Sequence, residues 1–390
     1  MLLPCISMLR FLTAGESHGP GLVATVEGLP AGLSVTRDGI AEELARRRLG
    51  FGRGPRMRLE RDELEILAGV RFAKTLGGPV AVLIRNSEWE KWQREMSPHE
   101  GEPSGRETKP RPGHADLVGM QKYDTHDARD ILERASARET AARTVVGYLA
   151  KQLLAQAGVS VMSHVIAIGS VEASVETLPG PSDIGAVDAS EVRVFDKVSE
   201  QAMIAEIEAA RSDRDTVGGV VEVLAYGLPP GIGSHVHWDR KLDGLLAGAL
   251  MSIQAIKAVE IGEGLTQARS RGSESHDEII ENDGELSRRT NRAGGLEGGM
   301  TTGEVLRVRA SMKPISTLMR ALGTVDVDTK ETASAFRERS DVCAVPAAGV
   351  VAEQMVAYVL ANEMMRKFGG DTVEEFAASV DAYKARLADF

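Results

Sequence analysis

Short apolar runs bordered by glycines alternate along this chain with longer stretches of helical period. Leu22–Val26, Val80–Ile84, Val159–Ile168, Val220–Ala225 and Val305–Ala310 are rich in Val, Ile and Leu and have the length of strands. Between them, apolar positions spaced three and four apart predict helices over Asp38–Arg48, Asp127–Ala157, Ser199–Arg211, Leu242–Val259 and Pro346–Phe368. Asp127 is placed to cap one start, and Gly158 and Gly369 to cap two ends. The pattern is that of a mixed α/β chain. Two segments echo one another, VEGLPAGLSV and LAYGLPPGIG, each a strand, a GLPxG turn and then a helix, which suggests a weak internal duplication. Residues 94–113, REMSPHEGEPSGRETKPRPG, have no apolar period and read as a long surface loop, of the kind that is usually functional or disordered.

Composition narrows the class. With 390 residues, 43% hydrophobic and 26% charged, the chain has ample material for a core and no uninterrupted apolar run of membrane-spanning length. A cytoplasmic protein without a membrane partner is expected. Met1–Ser7 lacks the basic start and the length of a secretory signal and reads as an N-terminal extension, leaving residues 8–390 as one domain. Two cysteines, Cys5 and Cys343, form no disulfide framework and match no zinc spacing, so no metal is expected. A net charge of −11 and an aromatic content of 4% disfavour nucleic acid as a partner.

Candidate chemistry begins at GESHG, Gly15–Gly19. The letters fit the GxSxG of a hydrolase nucleophile elbow with Ser17 as nucleophile, but that elbow requires a strand before the serine and a helix after it. Here a strand-like GLVATVEG follows. The flanking glycines instead allow a tight turn that leaves His18 exposed for chemistry. Next, RRRLGFGRGPRMRLER, Arg46–Arg61, holds seven arginines, one acid and no lysine. Guanidinium forks suit bidentate recognition of carboxylate or phosphate. Because Arg46–Arg48 cover more than one helix face, only one or two reach a given site, and Arg47 and Arg53 are the candidates. Part of the run could also be solvated helix surface or a nucleic-acid patch.

Downstream, Arg134 and Arg138 share a helix face beside Ser136. His114 follows a Pro-Gly turn in RPGHAD, where a metal pair with Asp116 is conceivable but lacks a third ligand. His126 reads as a helix-start residue. NRAGGLEGGMTTG, Asn291–Gly303, has neither the Walker A nor the dinucleotide spacing, although its amides could wrap a phosphate or a flat ring. KPIST, Lys313–Thr317, offers one cation and two hydroxyls. RERSDVCAVPAAG places Arg337, Arg339 and Asp341 before an apolar helix, with Asp341 open to either capping or base chemistry.

Taken in order, GESHG, RRRLGFGRG, RPGHAD, ERASARETAAR, QAIKAVEIGEG, NRAGGLEGGMTTG, KPIST and RSDVCAVPAAG resemble the successive signatures of the chorismate synthase family, over nearly the whole chain from about Met8. The likeness is strongest to the monofunctional actinobacterial type. It implies an α/β single-domain sandwich, with helices between two antiparallel β-sheets, assembled as a homotetramer. It also implies a carbon–oxygen lyase that eliminates phosphate from 5-enolpyruvylshikimate 3-phosphate to give chorismate. That reaction requires reduced FMN without net redox change, the flavin coming from an external flavin reductase, with NADP among the family's associated nucleotides. By the same likeness His18, His114 and Asp341 are catalytic. Arg47, Arg53, Arg138 and Arg339 bind substrate. Arg134, Ala135, Ser136, Gln254, Ala255, Gly298, Lys313, Pro314, Ile315, Ser316, Thr317 and Arg339 bind FMN. Two readings stand against it: a polyanion-binding module, which would use the arginines alone, and a flavin or nucleotide oxidoreductase, which would use the glycine-rich segment and KPIST.

Overall fold

The computed structural model describes residues 8–53, 62–282, 284–336 and 341–390. Strand β1 (Arg10–Ala14) turns through the GESHG segment into β2 (Gly21–Glu27), which leads through the first GLPxG turn to helix α1 (Arg37–Arg48). Thr36 caps α1, its Oγ1 accepting from the Gly39 amide at 3.0 Å. Then come β3 (Glu63–Ala68), β4 (Val80–Arg85), α2 (Asp116–Tyr123), α3 (Arg129–Ala135) and α4 (Thr140–Ala155). The first four strands form an antiparallel sheet in the order β1-β2-β4-β3.

A second antiparallel sheet contains β5 (Ser160–Ile168), the short β6 (Val171–Glu172), β7 (Gly219–Tyr226), β8 (Ile256–Ile261) and β9 (Leu306–Met312), in the order β8-β9-β7-β5-β6. Between these strands lie α5 (Lys197–Ser212) and α6 (Leu242–Met251), and after them α7 (Val345–Phe368) and α8 (Val373–Ala388). Helix α4 packs on β2, α7 packs on β5 and β7, and α4 and α7 pack on each other. One continuous apolar core results, with Val145, Leu149, Leu153, Val356 and Leu360 among its fully buried members. Helix α7 is long and apolar enough to cross a bilayer, but 89% of its most apolar window is buried in this core.

Two predicted helices are interrupted. Asp127–Ala157 breaks at Ser136, whose extended backbone (ψ 142°) ends α3, and a turn of 3₁₀ helix over Ala137–Glu139 precedes α4. The Ser136 hydroxyl accepts from the Arg138 amide at 3.2 Å, so a residue that favours caps restarts the chain inside an otherwise periodic stretch. Leu242–Val259 ends as helix at Met251, and Ile256–Ile261 pairs with β9 instead. There β-branched residues and an available sheet edge override the helical period. His126 does not cap a helix; its Nδ1 lies 2.5 Å from Asp328 Oδ1, while Asp127 Oδ1 accepts from the Arg129 amide at 2.9 Å. Gly369 does close α7, at φ +66° with its amide on Met365 O.

Candidate active site

Loops at one end of both sheets surround a cavity of about 870 Å³. The β1–β2 turn contributes Ser17 and His18, and the end of α1 with its following loop contributes Arg47 and Arg53. The β4–α4 connection supplies Arg111, His114, Ala135, Ser136 and Arg138. From the second sheet come Gln254 and Ala255 before β8, Lys313–Thr317 after β9, and Asp341 before α7. The GESHG segment is therefore strand, turn, strand, with no helix behind Ser17, whose Oγ accepts from Ser136 Oγ at 3.2 Å. The elbow geometry of a serine hydrolase is absent there.

Each cationic side chain is fixed before any ligand enters. Arg47 donates from Nε to Thr140 Oγ1 at 2.9 Å and from Nη2 to Ala137 O at 3.0 Å. Its neighbour Arg46 is turned away, into a buried network with Glu353, Glu43 and Asp188 at 2.6 to 2.8 Å, and Arg48 pairs with Asp62 at 3.1 Å. Arg138 reaches Asp62 at 2.7 Å and Asn86 Oδ1 at 3.1 Å, and Arg53 Nε lies 3.3 Å from Asp341 Oδ2. Such preorganised guanidinium groups are arranged for an anionic ligand, because the ordering cost of long side chains is already met in folding.

The two histidines sit in carboxylate cradles. His18 Nδ1 is 2.8 Å from Glu133 Oε1, and the His18 amide donates to Glu133 Oε2 at 2.8 Å. Burial opposes the charge of Glu133, but hydrogen bonds from His18 and Arg129 more than offset it and hold the carboxyl below the usual range. His114 Nδ1 meets Asp116 Oδ1 in a short contact, and Arg111 grips the same carboxylate at 2.8 and 3.1 Å. Asp116 is buried, which raises its pKa, yet His114 and Arg111 bring it down to about 2. Asp116 is thus the partner of His114 rather than half of a metal pair, and among the described residues no group of three His, Cys, Asp or Glu could hold an ion. Cys343 is buried and its thiol is pushed up to about 12, leaving it inert.

KPIST and RPGHAD are stitched together. Lys313 Nζ donates to Gly113 O, and Arg111 Nη1 donates to Thr317 Oγ1 at 2.9 Å. Two predicted ligand residues are not among the cavity lining. Arg134 is turned out toward Thr13, donating to its carbonyl at 2.8 Å and its hydroxyl at 2.6 Å, in a separate shallow notch beside Phe11 and Arg143. Gly298 sits in the hairpin turn between Leu296 and Thr301. Arg339 and Arg337 lie outside the described residues, as do Met1–Ser7 and residues 54–61 of the arginine run. Conversely, the sequence motifs do not single out Glu133 or Arg111. The available signals were the four-residue spacing of Arg129 and Glu133 on one helix and the arginine inside RPGHAD itself.

Comparison with known proteins agrees over nearly the full length. The family model for chorismate synthase matches residues 9–365. A chorismate synthase of Frankia alni is 61% identical over 392 residues, covering 97% of this chain and 99% of that protein. One of Acidothermus cellulolyticus is 60% identical over 385 residues, covering 96% and 98%. A crystal structure of chorismate synthase superposes with a TM-score of 0.78 at 40% identity, covering 98% of this chain and 99% of that one.

Proposed function

The chain belongs to the chorismate synthase family, and from that premise we propose that the cavity eliminates phosphate from 5-enolpyruvylshikimate 3-phosphate to yield chorismate, as a carbon–oxygen lyase of the shikimate pathway. The observation that carries this reading is the convergence of Arg47, Arg53, Arg138, His18 and His114 on one cavity in a protein of net charge −11. A substrate with one phosphate and two carboxylates needs such a local concentration of fixed cations. The helices α4 and α7 would be the filling of the family's sandwich between two antiparallel sheets, in a single domain over residues 8–390. The assembly would be a cytoplasmic homotetramer.

The cofactor of the reading is reduced FMN, and the cavity suits a flat heterocycle. Gln254 Oε1 is a buried acceptor with no hydrogen-bond partner among the described residues. Ile253, Ala255, Met312, Ser316 and Thr317 line the same cavity. Ala135, Ser136 and Lys313–Thr317 would hold the group, with Arg134, Gly298 and Arg339 completing the set by family likeness. When bound, the reduced flavin supplies an electron transiently and recovers it, so substrate and product differ by no net redox change.

The protein's own work is proton transfer and anchoring. The C–O bond to phosphate and the C6–H bond both break, giving chorismate and inorganic phosphate. His18 protonates the leaving phosphate from Nε2, the ring nitrogen not engaged by Glu133, and general acid catalysis of this kind contributes about 10²- to 10⁴-fold. His114, held by Asp116, serves as an acid beside the flavin. Asp341 assists removal of the C6 proton, with Arg53 keeping its carboxylate in place. An external flavin reductase supplies the cofactor. The test is anaerobic: photoreduced FMN and 5-enolpyruvylshikimate 3-phosphate are mixed with the protein and chorismate absorbance is followed. Chorismate without net flavin oxidation is expected; binding of both ligands without chorismate overturns the assignment.

A further inference from the structure

The two histidines of the cavity come from different loops yet share one construction. Behind His18 stands Glu133, and behind Glu133 stands Arg129, whose Nη1 donates to the same Oε1 at 2.9 Å. Behind His114 stands Asp116, and behind Asp116 stands Arg111, which here also reaches the ring itself, its Nη2 lying 3.0 Å from His114 Nδ1. In both cases the arginine also lies over an aromatic ring, Arg129 at 4.9 Å from the Trp92 centroid and Arg111 at 4.6 Å from that of Phe336. Trp92 in turn stacks on His18, with ring centroids 4.1 Å apart. Glu133 is nearly inaccessible, its side chain 3% exposed, and it grips the turn a third time through its carbonyl, which accepts from the Ser17 amide at 3.0 Å.

We propose that Glu133 is a positioning residue for the reaction: its arginine-anchored carboxylate fixes the hydrogen of His18 on Nδ1 and turns Nε2 to the leaving phosphate, with Asp116 as the counterpart behind His114. The inference rests on the lyase reading for the role of Nε2, but the state of the ring does not. A carboxylate accepts only, so at 2.8 Å it selects the Nδ1–H form of the neutral ring. Arg129, donating to Glu133 Oε1 at 2.9 Å, keeps the carboxylate ionised and in one rotamer. Trp92, its ring tilted by 32° over the imidazole, limits the tilt of the ring, and the bond from Nδ1 to Glu133 selects between its two flipped orientations.

Glu133→Gln tests this in the full-length protein. An amide offers the ring either an oxygen or an NH2, so both the charge and the tautomer preference go while the shape stays. The expected result is a kcat about 10- to 100-fold lower, with substrate KM and FMN binding within about threefold of the parent. Glu133→Asp restores part of the rate. Independently of turnover, ¹⁵N shifts of the His18 ring in the ligand-free protein should show Nδ1–H, with both tautomers populated in Glu133→Gln. If Glu133→Gln does not fold because Arg129 is left unpaired, Arg129→Gln/Glu133→Gln removes both charges and carries the same readouts. Nε2–H as the parent tautomer, or an unchanged kcat in Glu133→Gln, overturns the proposal. Chorismate failing to form while Nδ1–H is found would sink the lyase reading and leave the positioning of the ring intact.

Discussion

The two sheets are built on one plan and finished differently. β1, β2, α1, β3, β4 and α4 of the first have counterparts, in the same order, in β5, β7, α6, β8, β9 and α7 of the second, and the sheet orders β1-β2-β4-β3 and β5-β7-β9-β8 coincide. The GLPxG turns agree bond for bond. Thr75 Oγ1 donates to Pro30 O at 2.6 Å and accepts from the Leu33 amide at 2.9 Å, while Thr75 O accepts from Gly32. Thr301 Oγ1 donates to Pro229 O at 2.7 Å and accepts from the Ile232 amide at 2.8 Å, while Thr301 O accepts from Gly231. Gly28 and Gly227 both turn at positive φ, where a Cβ would strike the carbonyl of Met8 or of Gly158, each just before the neighbouring strand.

The finish differs where the strands are joined. β1 reaches β2 through the short turn that holds His18, whereas β5 reaches β7 through residues 169–218, which carry β6 and α5 and lay Val187 against Met162 and Leu224. The consequence shows in one cross-strand row. In the first sheet the row reads Ala14, Val23, Leu83, Glu65; in the second it reads His164, Glu222, Arg309, Glu260. Covered by the insertion, Glu222 is wholly buried and accepts from Arg307 and Arg309 at 2.9 to 3.2 Å, with His164 Nε2 at 3.2 Å. The shared frame supplies the scaffold, and the segments that are not shared supply either cover or chemistry. The division is also one of charge: the first half brings His18, Arg47, Arg53, Arg111, His114 and Arg138 to the cavity, and the second brings Lys313, Gln254 and Asp341.

The largest effect expected is at the unshared turn. His18→Ala should lose about 10²- to 10⁴-fold in kcat while FMN binding and the unfolding midpoint stay near the parent; loss of folding would make the histidine part of the frame. Next, Glu222→Gln should cost about 3–5 kcal/mol in urea unfolding at pH 7, because it strands buried cations, and Val23→Thr in the matching open row less than about 1 kcal/mol. Equal costs would break the contrast between the rows.

The acid behaviour sharpens the same point. Glu222 is buried, which opposes its charge, but His164, Arg307 and Arg309 hold its carboxyl at about 2, below the ordinary 4.5. Its folded value being the lower one, its contribution is complete above about pH 4.5 and is lost as pH falls toward 2. The penalty of Glu222→Gln should therefore shrink over that window in unfolding curves taken between pH 5 and 2.5. The matched turns should differ least from one another. Thr75→Val and Thr301→Val each leave a buried amide and carbonyl unpaired and should cost about 1–3 kcal/mol, agreeing within about 1 kcal/mol; a large disparity would show that the turns are alike in shape only.

Much of the frame was legible. The apolar runs mark β2, β4, β5, β7 and β9 but none of them covers β1, β3 or β8, and the GLPxG echo points to the repeated turn. The gathering of His18, Arg47, Arg53, His114, Arg138 and Asp341 around one cavity was anticipated through motifs in family order, since nothing in the spacing of positions so far apart along the chain makes them neighbours. Ser136 and the Gln254–Ala255 turn were hidden inside helical periods, because periodicity registers a face and not a break in the backbone.

What the sequence alone determined was therefore local: strand and helix character, which arise from side-chain shape and period, the tight glycine turns, and a surplus of arginine in an acidic chain. Which arginine serves the cavity was decided by the tertiary structure, since one turn of helix sends Arg46 to Glu353, Arg47 to Thr140 and Arg48 to Asp62. The same holds for the carboxylate behind each histidine. Glu133 stands beside His18 only because β1, β2 and α3 converge, and no short-range rule couples residues whose contact depends on that packing.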